Sequence, residues 1–338
     1  MESFRLLFIC KRKILIEDFY PGIERYSMNR REFTKIAALS SLGAATSNIT
    51  FAEAKKIKPL SVHVFSKHLQ FLDYKDMAKA AKDIGFDGVD LTVRPKGHVE
   101  PENVVRDLPK AVKAIRSEGL QSVMMTSDVN NVDDPVNVQV LKTASEQGLK
   151  YYRTAYYKFP KEIEGTYREN LDVFKAKFDA LGRMNKQFGL HGAYQNHSGT
   201  NLGSYVTDVA YLLEGNDPRW LGCQYDVRHA AVEGGTAWPL GLRWVKDHIK
   251  FIAIKDFIWG EKNGKPSPVS VPMGEGVVDF SRLFELFREY KIHPVVSLHY
   301  EYDMGGADKG KKELTWSKQK IFKAMRKDLE FLHSAWEG

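Results

Sequence analysis

The sequence predicts an α/β protein, a single-domain (β/α)8 barrel with the TIM-barrel architecture, and three observations predict it. Short apolar segments alternate eight times with longer segments of helical periodicity. Several apolar segments, such as FIAI at 251–254 and PVVSL at 294–298, are hydrophobic throughout, as parallel strands buried on both faces must be. Polar and charged residues collect where these segments end, the rim from which a barrel projects its catalytic groups. An open, doubly wound sheet would want a glycine-rich turn after its first strand, and SKHLQFLD at 66–73 has no glycine.

The elements follow in order. Residues 60–65 form the first strand; over 73–84, Tyr74, Met77, Ala78, Ala81 and Ile84 recur at helical spacing. The second unit pairs strand 86–93, ended by Arg94-Pro95, with helix 101–117, stopped at Gly119. Strand 120–126 and helix 132–147 make the third, with Gly148 as the stop. The fourth joins strand 149–155 to the long helix 164–188, whose apolar stripe is Leu171, Phe174, Phe178 and Leu181. Strand 190–196 with helix 204–213, and strand 220–226 with helix 238–248, are the fifth and sixth. Strand 249–256, a Gly/Pro-rich loop at 260–276 and helix 280–290 are the seventh; strand 294–301 with helix 315–336 is the eighth. No interdomain linker is apparent, so the barrel domain is placed at 57–338.

Composition bounds the function. A chain of 338 residues, 43% hydrophobic and 12% aromatic, can bury a large core and is not a disordered segment. Residues 1–54 hold eight Lys/Arg and six Asp/Glu, which leaves 42 against 37 in the remainder, a net +5 spread without a basic run. That is ordinary solvation, not a nucleic-acid footprint, and no nucleic-acid partner is expected. Cys10 and Cys223 are the only cysteines, so the barrel can form no internal disulfide and has no cysteine zinc motif.

The N-terminus reads as a targeting segment. Asn29-Arg30-Arg31-Glu32-Phe33-Thr34-Lys35 precedes a run of small and apolar residues at 36–45, and Ala52-Glu53-Ala54 supplies a cleavage-type site. The motif is similar to a twin-arginine export signal, with Met28 as the start, 1–27 as an upstream extension and 28–54 as the signal. The apolar run is too short to span a bilayer. This reading implies a periplasmic protein, partnered in transit by the twin-arginine export machinery and cleaved after about Ala54.

The chemistry gathers at four strand ends. In LHGAYQNHSGT at 190–200, alternation places Ala193, Gln195 and His197 on one face, with Tyr194 and Asn196 on the other. GCQYDVRH carries Asp226 and His229, IAIKD carries Lys255 and Asp256, and SLHYEYD carries His299, Glu301 and Asp303. A buried lysine without a partner is costly, so Lys255 must meet a carboxylate or a ligand oxygen. Asp256, facing the other way, and Gly274-Glu275-Gly276 read as framework. Asp90, Thr92 and Arg94 share a strand face, from which Arg94 reaches either a ligand or a loop carboxylate.

The D-x-x-H of 226–229, Lys255-Asp256, the phrase MGEGVVDF at 273–280 and the H-Y-E of 299–301 resemble the sugar phosphate isomerase/epimerase family with the xylose isomerase-like barrel. The resemblance covers most of 60–335. It implies a small carbohydrate substrate, a divalent metal held by strand-end carboxylates and an imidazole, and proton movement beside a sugar carbonyl. The family's fifth-strand glutamate is Gln195 here, the imidazole of its H-x-K-D is Ala253, and the first carboxylate of its E-x-E is His299. Gln195, Asp226 and His299 then remain as the ligand set for Mn, Zn, Mg or Fe. No nucleotide cofactor is implied.

The expected activity is that of a sugar isomerase, an epimerase or a keto-sugar lyase. Glu301 serves as base, His229 or His197 as proton partner and Lys255 as oxyanion holder; Arg94, Asn196 and Tyr156 contact the substrate. The rival class is a non-catalytic carbohydrate-binding barrel, suggested by the altered ligands and by Tyr151, Tyr152, Tyr156 and Tyr157 as stacking platforms. A metal-dependent nuclease would need a richer metal cluster and a basic groove.

Overall fold

The computed structural model describes residues 58–159 and 165–338; the targeting segment read at 28–54 and the extension 1–27 lie outside the described residues. The strands are β1 (Ser61–Phe65), β2 (Gly88–Val93), β3 (Gln121–Ser127), β4 (Tyr151–Arg153), β5 (His191–Gln195), β6 (Leu221–Asp226), β7 (Phe251–Ile254), β8 (Asp256–Lys262), β9 (Lys265–Val271) and β10 (Val295–Leu298). Eight of them close into a parallel barrel in the order β1-β10-β7-β6-β5-β4-β3-β2, sealed because β1 pairs with both β10 and β2. The helices are α1 (Tyr74–Ile84), α2 (Val104–Ser117), α3 (Pro135–Glu146), α4 (Tyr167–Phe188), α5 (Val206–Leu213), α6 (Val227–Gly234), α7 (Trp238–Val245), α8 (Phe280–Glu289) and α9 (Lys318–Glu337).

Local chemistry sets the helix ends. The Asp73 carboxylate accepts the Asp76 amide at 2.8 Å to open α1, and Gly85, at φ 113°, closes it in a conformation that suits glycine. Thr166 and Glu169 form a reciprocal capping box at the start of α4. The predicted stripe Leu171, Phe174, Phe178 and Leu181 is buried, in the main core between the strand ring and the helices.

The barrel interior is a second, smaller packing unit. Met124, Ala193 and Phe251 cluster there, flanked by Tyr151 and Val295. Polar side chains are also buried within the sheet: Thr126 Oγ1 and Ser297 Oγ donate to Asp90 Oδ2 at 3.0 and 2.6 Å. Burial still pushes the Asp90 carboxyl up to about 6 against those bonds.

One element departs from expectation. The segment read as a loop at 260–276 contains most of an antiparallel hairpin, with Asp256 opposite Val271 and Lys262 opposite Lys265. Its turn is Asn263-Gly264, both residues at positive φ (53° and 73°), as a tight hairpin turn requires. Pro266 and Pro268 hide the strand in the sequence, yet a two-stranded ribbon accepts them because its outer edge needs no ladder. A second addition is α6, which begins directly after β6.

Candidate active site

The centre of the barrel mouth is an ammonium between two carboxylates. Lys255 follows β7 and is buried; its Nζ lies 2.9 Å from Glu301 Oε1 and 3.3 Å from Asp226 Oδ2. Burial pushes the Lys255 pKa down, but Asp226 and Glu301 outweigh it and hold the pKa above the ordinary value. For Glu301, burial acts upward, while the Lys255 ammonium acts downward and outweighs it, so the group is a carboxylate well below its usual range. Asp226 ends β6 and caps α6, accepting the His229 amide at Oδ1 (3.1 Å) and the Gln195 amide nitrogen at Oδ2 (2.8 Å).

Hydrogen-bond partners fix the imidazole tautomers. Arg228 Nη1 is 3.0 Å from His229 Nδ1 and can only donate, so Nδ1 accepts and the ring proton sits on Nε2, 3.7 Å from Asp226 Oδ2. Ser198 Oγ lies 2.7 Å from the same Nδ1. Ser297 gives its proton to Asp90, so it accepts from His299 Nε2 at 3.1 Å and leaves His299 Nδ1 as a bare lone pair. That atom is 3.8 Å from Glu301 Oε1, and its ring stacks on Phe65 at 4.3 Å. His197 Nδ1 donates to the Ser198 carbonyl at 2.8 Å, and its ring centre is 3.8 Å from that of His229. Burial lowers all three imidazoles, His299 to about 4 and His229 well below its usual value, so all are neutral near pH 7.

The predicted residues divide into two groups. Glu301, Lys255, Asp226, His229, His197, His299 and Gln195 are brought together at the mouth. Arg94 is half-buried there, its guanidinium 5.5 Å from the Phe65 ring, and Tyr156 donates its hydroxyl to Gln195 Oε1 at 2.5 Å. Asn196, expected to contact substrate, is buried and fully committed: Nδ2 donates to the Asp226 carbonyl and Oδ1 accepts the Asp226 amide, at 2.9 and 2.8 Å. It pins β5 to β6. Of the four tyrosines expected as stacking platforms, only Tyr156 is at the mouth. Tyr152 and Tyr157 are buried among core side chains, and Tyr151 packs against Phe251 inside the barrel.

Sequence reasoning missed three cations and a hydroxyl. Arg153 ends β4 and reaches Tyr156 OH and Gln195 Oε1 at 2.8 and 3.3 Å; a charge closing an otherwise apolar strand was its signal. Arg228 and Ser198 were visible only as neighbours of His229 and His197. Lys67 follows β1, and burial lowers its pKa, with Glu301 pulling the other way and Arg94 and Lys255 adding to the fall. Among the described residues neither Lys67 nor Arg94 donates a side-chain hydrogen bond to a carboxylate.

The ligand set expected from the sequence does not fit a metal. Gln195 turns its nitrogen, not its oxygen, toward Asp226, because its oxygen takes the hydroxyl of Tyr156 and the guanidinium of Arg153. Flipping that amide would set N–H against N–H on one side and oxygen against carboxylate on the other. Between Asp226 and Glu301 stands the Lys255 ammonium. Among the described residues no group of three His, Cys, Asp or Glu side chains is placed to hold an ion.

Comparison with known proteins agrees with this architecture. Residues 78–320 match the family model of the xylose isomerase-like TIM barrel. Inosose dehydratase of Bacillus velezensis is 24% identical over 160 residues, 40% of this chain, and the match spans about half (53%) of that curated relative. The apo form of 3-keto-D-glucoside 4-epimerase from E. coli superposes with a TM-score of 0.57 at 15% identity, covering 81% of this chain and 99% of that one. A xylose isomerase-like TIM barrel protein from Mycobacterium smegmatis, in complex with magnesium, superposes with a TM-score of 0.56 at 13% identity, covering 83% and 98%. At those identities the structural likeness speaks to fold alone, and the family match, over more than half of the chain, supplies the assignment: this chain belongs to the xylose isomerase-like TIM barrel family.

Proposed function

We propose that the protein is a sugar-modifying enzyme that moves a proton on the carbon beside a sugar carbonyl, as an isomerase, an epimerase or a lyase that eliminates a β-hydroxyl. The observation that carries this reading is the Lys255 ammonium held between Asp226 and Glu301, because it pairs a fixed positive charge with an adjacent carboxylate at the rim. Glu301 Oε1 is engaged by Lys255, and Oε2 is left to act on the substrate. In the step proposed, the C–H bond breaks, its proton passes to Glu301, and the electron pair moves onto the carbonyl oxygen, where Lys255 balances the enediolate charge. Return of the proton to the other face of the same carbon gives the epimer; return to the former carbonyl carbon, as the adjacent hydroxyl passes its proton to the former carbonyl oxygen, gives the isomer; and loss of a β-hydroxyl that takes the proton from Glu301 releases water and the dehydrated product.

The cost of this pairing is basicity. A carboxylate tied to an ammonium is a weak base, so the reading requires Lys255 to lean toward the oxyanion as charge develops, which frees Glu301 to accept the proton. His229, neutral with its proton on Nε2, can donate to a substrate oxygen without carrying charge into the site, in the manner of a neutral imidazole electrophile.

Incubation in deuterated water with a panel of keto- and aldo-sugars tests the proposal. Deuterium should enter the position next to the carbonyl, and Glu301→Gln should slow that by about a hundredfold or more while sugar affinity stays within about tenfold. Sugar binding with no exchange across the panel would sink the enzyme reading in favour of a carbohydrate-binding barrel.

A further inference from the structure

We propose that the cation at the centre of this site is Lys255 itself, and that the site binds no divalent ion at the place where Asp226 and Glu301 converge. The inference leans on the proposed proton chemistry for what the cation does, and not for which cation it is.

Three features of the geometry carry it. The first is occupancy. A divalent ion bound to Asp226 and Glu301 needs oxygens at about 2.0–2.6 Å, and Nζ already lies 3.3 and 2.9 Å from those same two oxygens. Lys255 is buried, so the ammonium cannot step aside into water without dragging its carbon stem out of the barrel.

The second is donor saturation. Asp226 Oδ1 takes the His229 amide, and Oδ2 takes both Gln195 Nε2 and Lys255. Gln195 Oε1 is held by Tyr156 and Arg153. His229 Nδ1 is engaged by Arg228 and Ser198, and its other nitrogen carries the proton. His299 Nδ1 and His197 Nε2 are the imidazole lone pairs left over, and among the described residues no group of three His, Cys, Asp or Glu side chains comes together around either of them.

The third is charge. Two carboxylates meet one ammonium at contact distance, Lys67 is close enough to feel Glu301 and Lys255, and Arg94 is close enough to feel Arg153 and to act on Lys67. A second, doubly charged cation would enter an environment already balanced or positive. Ala253, one turn of the pleat below Lys255, adds no ligand.

The test is a titration of the full chain with Mn2+, without sugar, followed by calorimetry and by the electron paramagnetic resonance signal of free Mn2+. Wild-type protein should show no saturable site up to about 1 mM. Removing the resident charge should create one: Lys255→Ala should bind Mn2+ at least about tenfold more tightly than wild type, and adding Asp226→Asn should abolish the gain. Gln195→Glu with Lys255 retained should bind no better than wild type, since the new carboxylate pairs with the ammonium. Stoichiometric Mn2+ binding by wild type that disappears in Asp226→Asn overturns the proposal, as does Lys255→Ala that folds and binds no better than wild type. If Lys255→Ala does not fold, Lys255→Met keeps the stem, and the wild-type titration decides alone if both fail. Because no sugar is present, a wrong reaction assignment leaves this result untouched.

Discussion

Asp226 serves both the helix and the site with one side chain. Its carboxylate caps α6 through the His229 amide, orients Gln195 and faces Lys255, all with no exposure to solvent. Removing it strands the Lys255 ammonium on Glu301 alone and leaves the α6 terminus uncapped. Breaking a buried ion pair costs about 3–5 kcal/mol, and losing a cap about 1 kcal/mol. Asp226→Ala should therefore lower stability by roughly 3 kcal/mol or more in urea unfolding. Glu301→Gln should cost much less, because the Glu301 side chain is 29% exposed and Lys255 keeps Asp226. Equal losses for the two variants would show that the rim carboxylate, and not Asp226, anchors Lys255.

At the scale of elements, Asp256 organises the base of the hairpin. It begins β8, and its carboxylate accepts the backbone amides of Phe257, Gly274, Gly276 and Val278 at 2.8–3.2 Å. One side chain thus ties the start of the hairpin to the turn that follows its end. Burial pushes the Asp256 pKa up and these four amides pull it down, with a net rise. Gly276 has no side chain because a Cβ there would overlap the Asp256 carboxylate. Asp256→Ala leaves four amides without their acceptor, at about 1–3 kcal/mol for each that stays buried. The expected outcome is a lower melting temperature with faster amide exchange at 272–278. Unchanged exchange there would mean that the turn holds itself.

The whole molecule carries a pH dependence set by buried histidines. Burial lowers His63, His98, His191 and His299 to about 4 from 6.5. Between those values the unfolded chain binds protons that the folded chain refuses, so stability falls as pH drops from about 6.5 to about 4. Asp90 and Asp328 act in the opposite sense: burial raises them to about 6 and about 7, so they favour the folded state at low pH and lose that contribution as pH rises through those values. With His68, His197 and His229 also lowered and Asp208 and Asp256 also raised, seven imidazoles stand against four carboxyls, and the imidazoles decide the sign. The urea midpoint should decline steadily from pH 6.5 to 4; a midpoint that holds or climbs would show that some of these histidines charge in place.

Sequence alone determined the barrel, because closure depends on a repeated pattern and not on any single residue. Eight apolar runs, each followed by a helical stripe such as Leu171, Phe174, Phe178 and Leu181, leave a parallel closed sheet as the arrangement that buries both faces of every strand. It also marked the strand ends that carry Gln195, Asp226, Lys255 and Glu301, since charge at the end of a buried strand needs a partner or an opening. The hairpin 256–271 escaped because its prolines suppress the strand pattern, and α6 because its short apolar stripe shares a segment with the site motif. What only the tertiary structure decided is which atoms meet. Neighbours from β4 turn the Gln195 amide; the backbone of β6 consumes Asn196; packing against helices takes Tyr152 and Tyr157 into the core; and Asp226, 29 positions before Lys255, meets Glu301, 46 positions after it, on one ammonium. Those are long-range contacts, and a one-dimensional pattern records the residues that make them but not the partner each one finds.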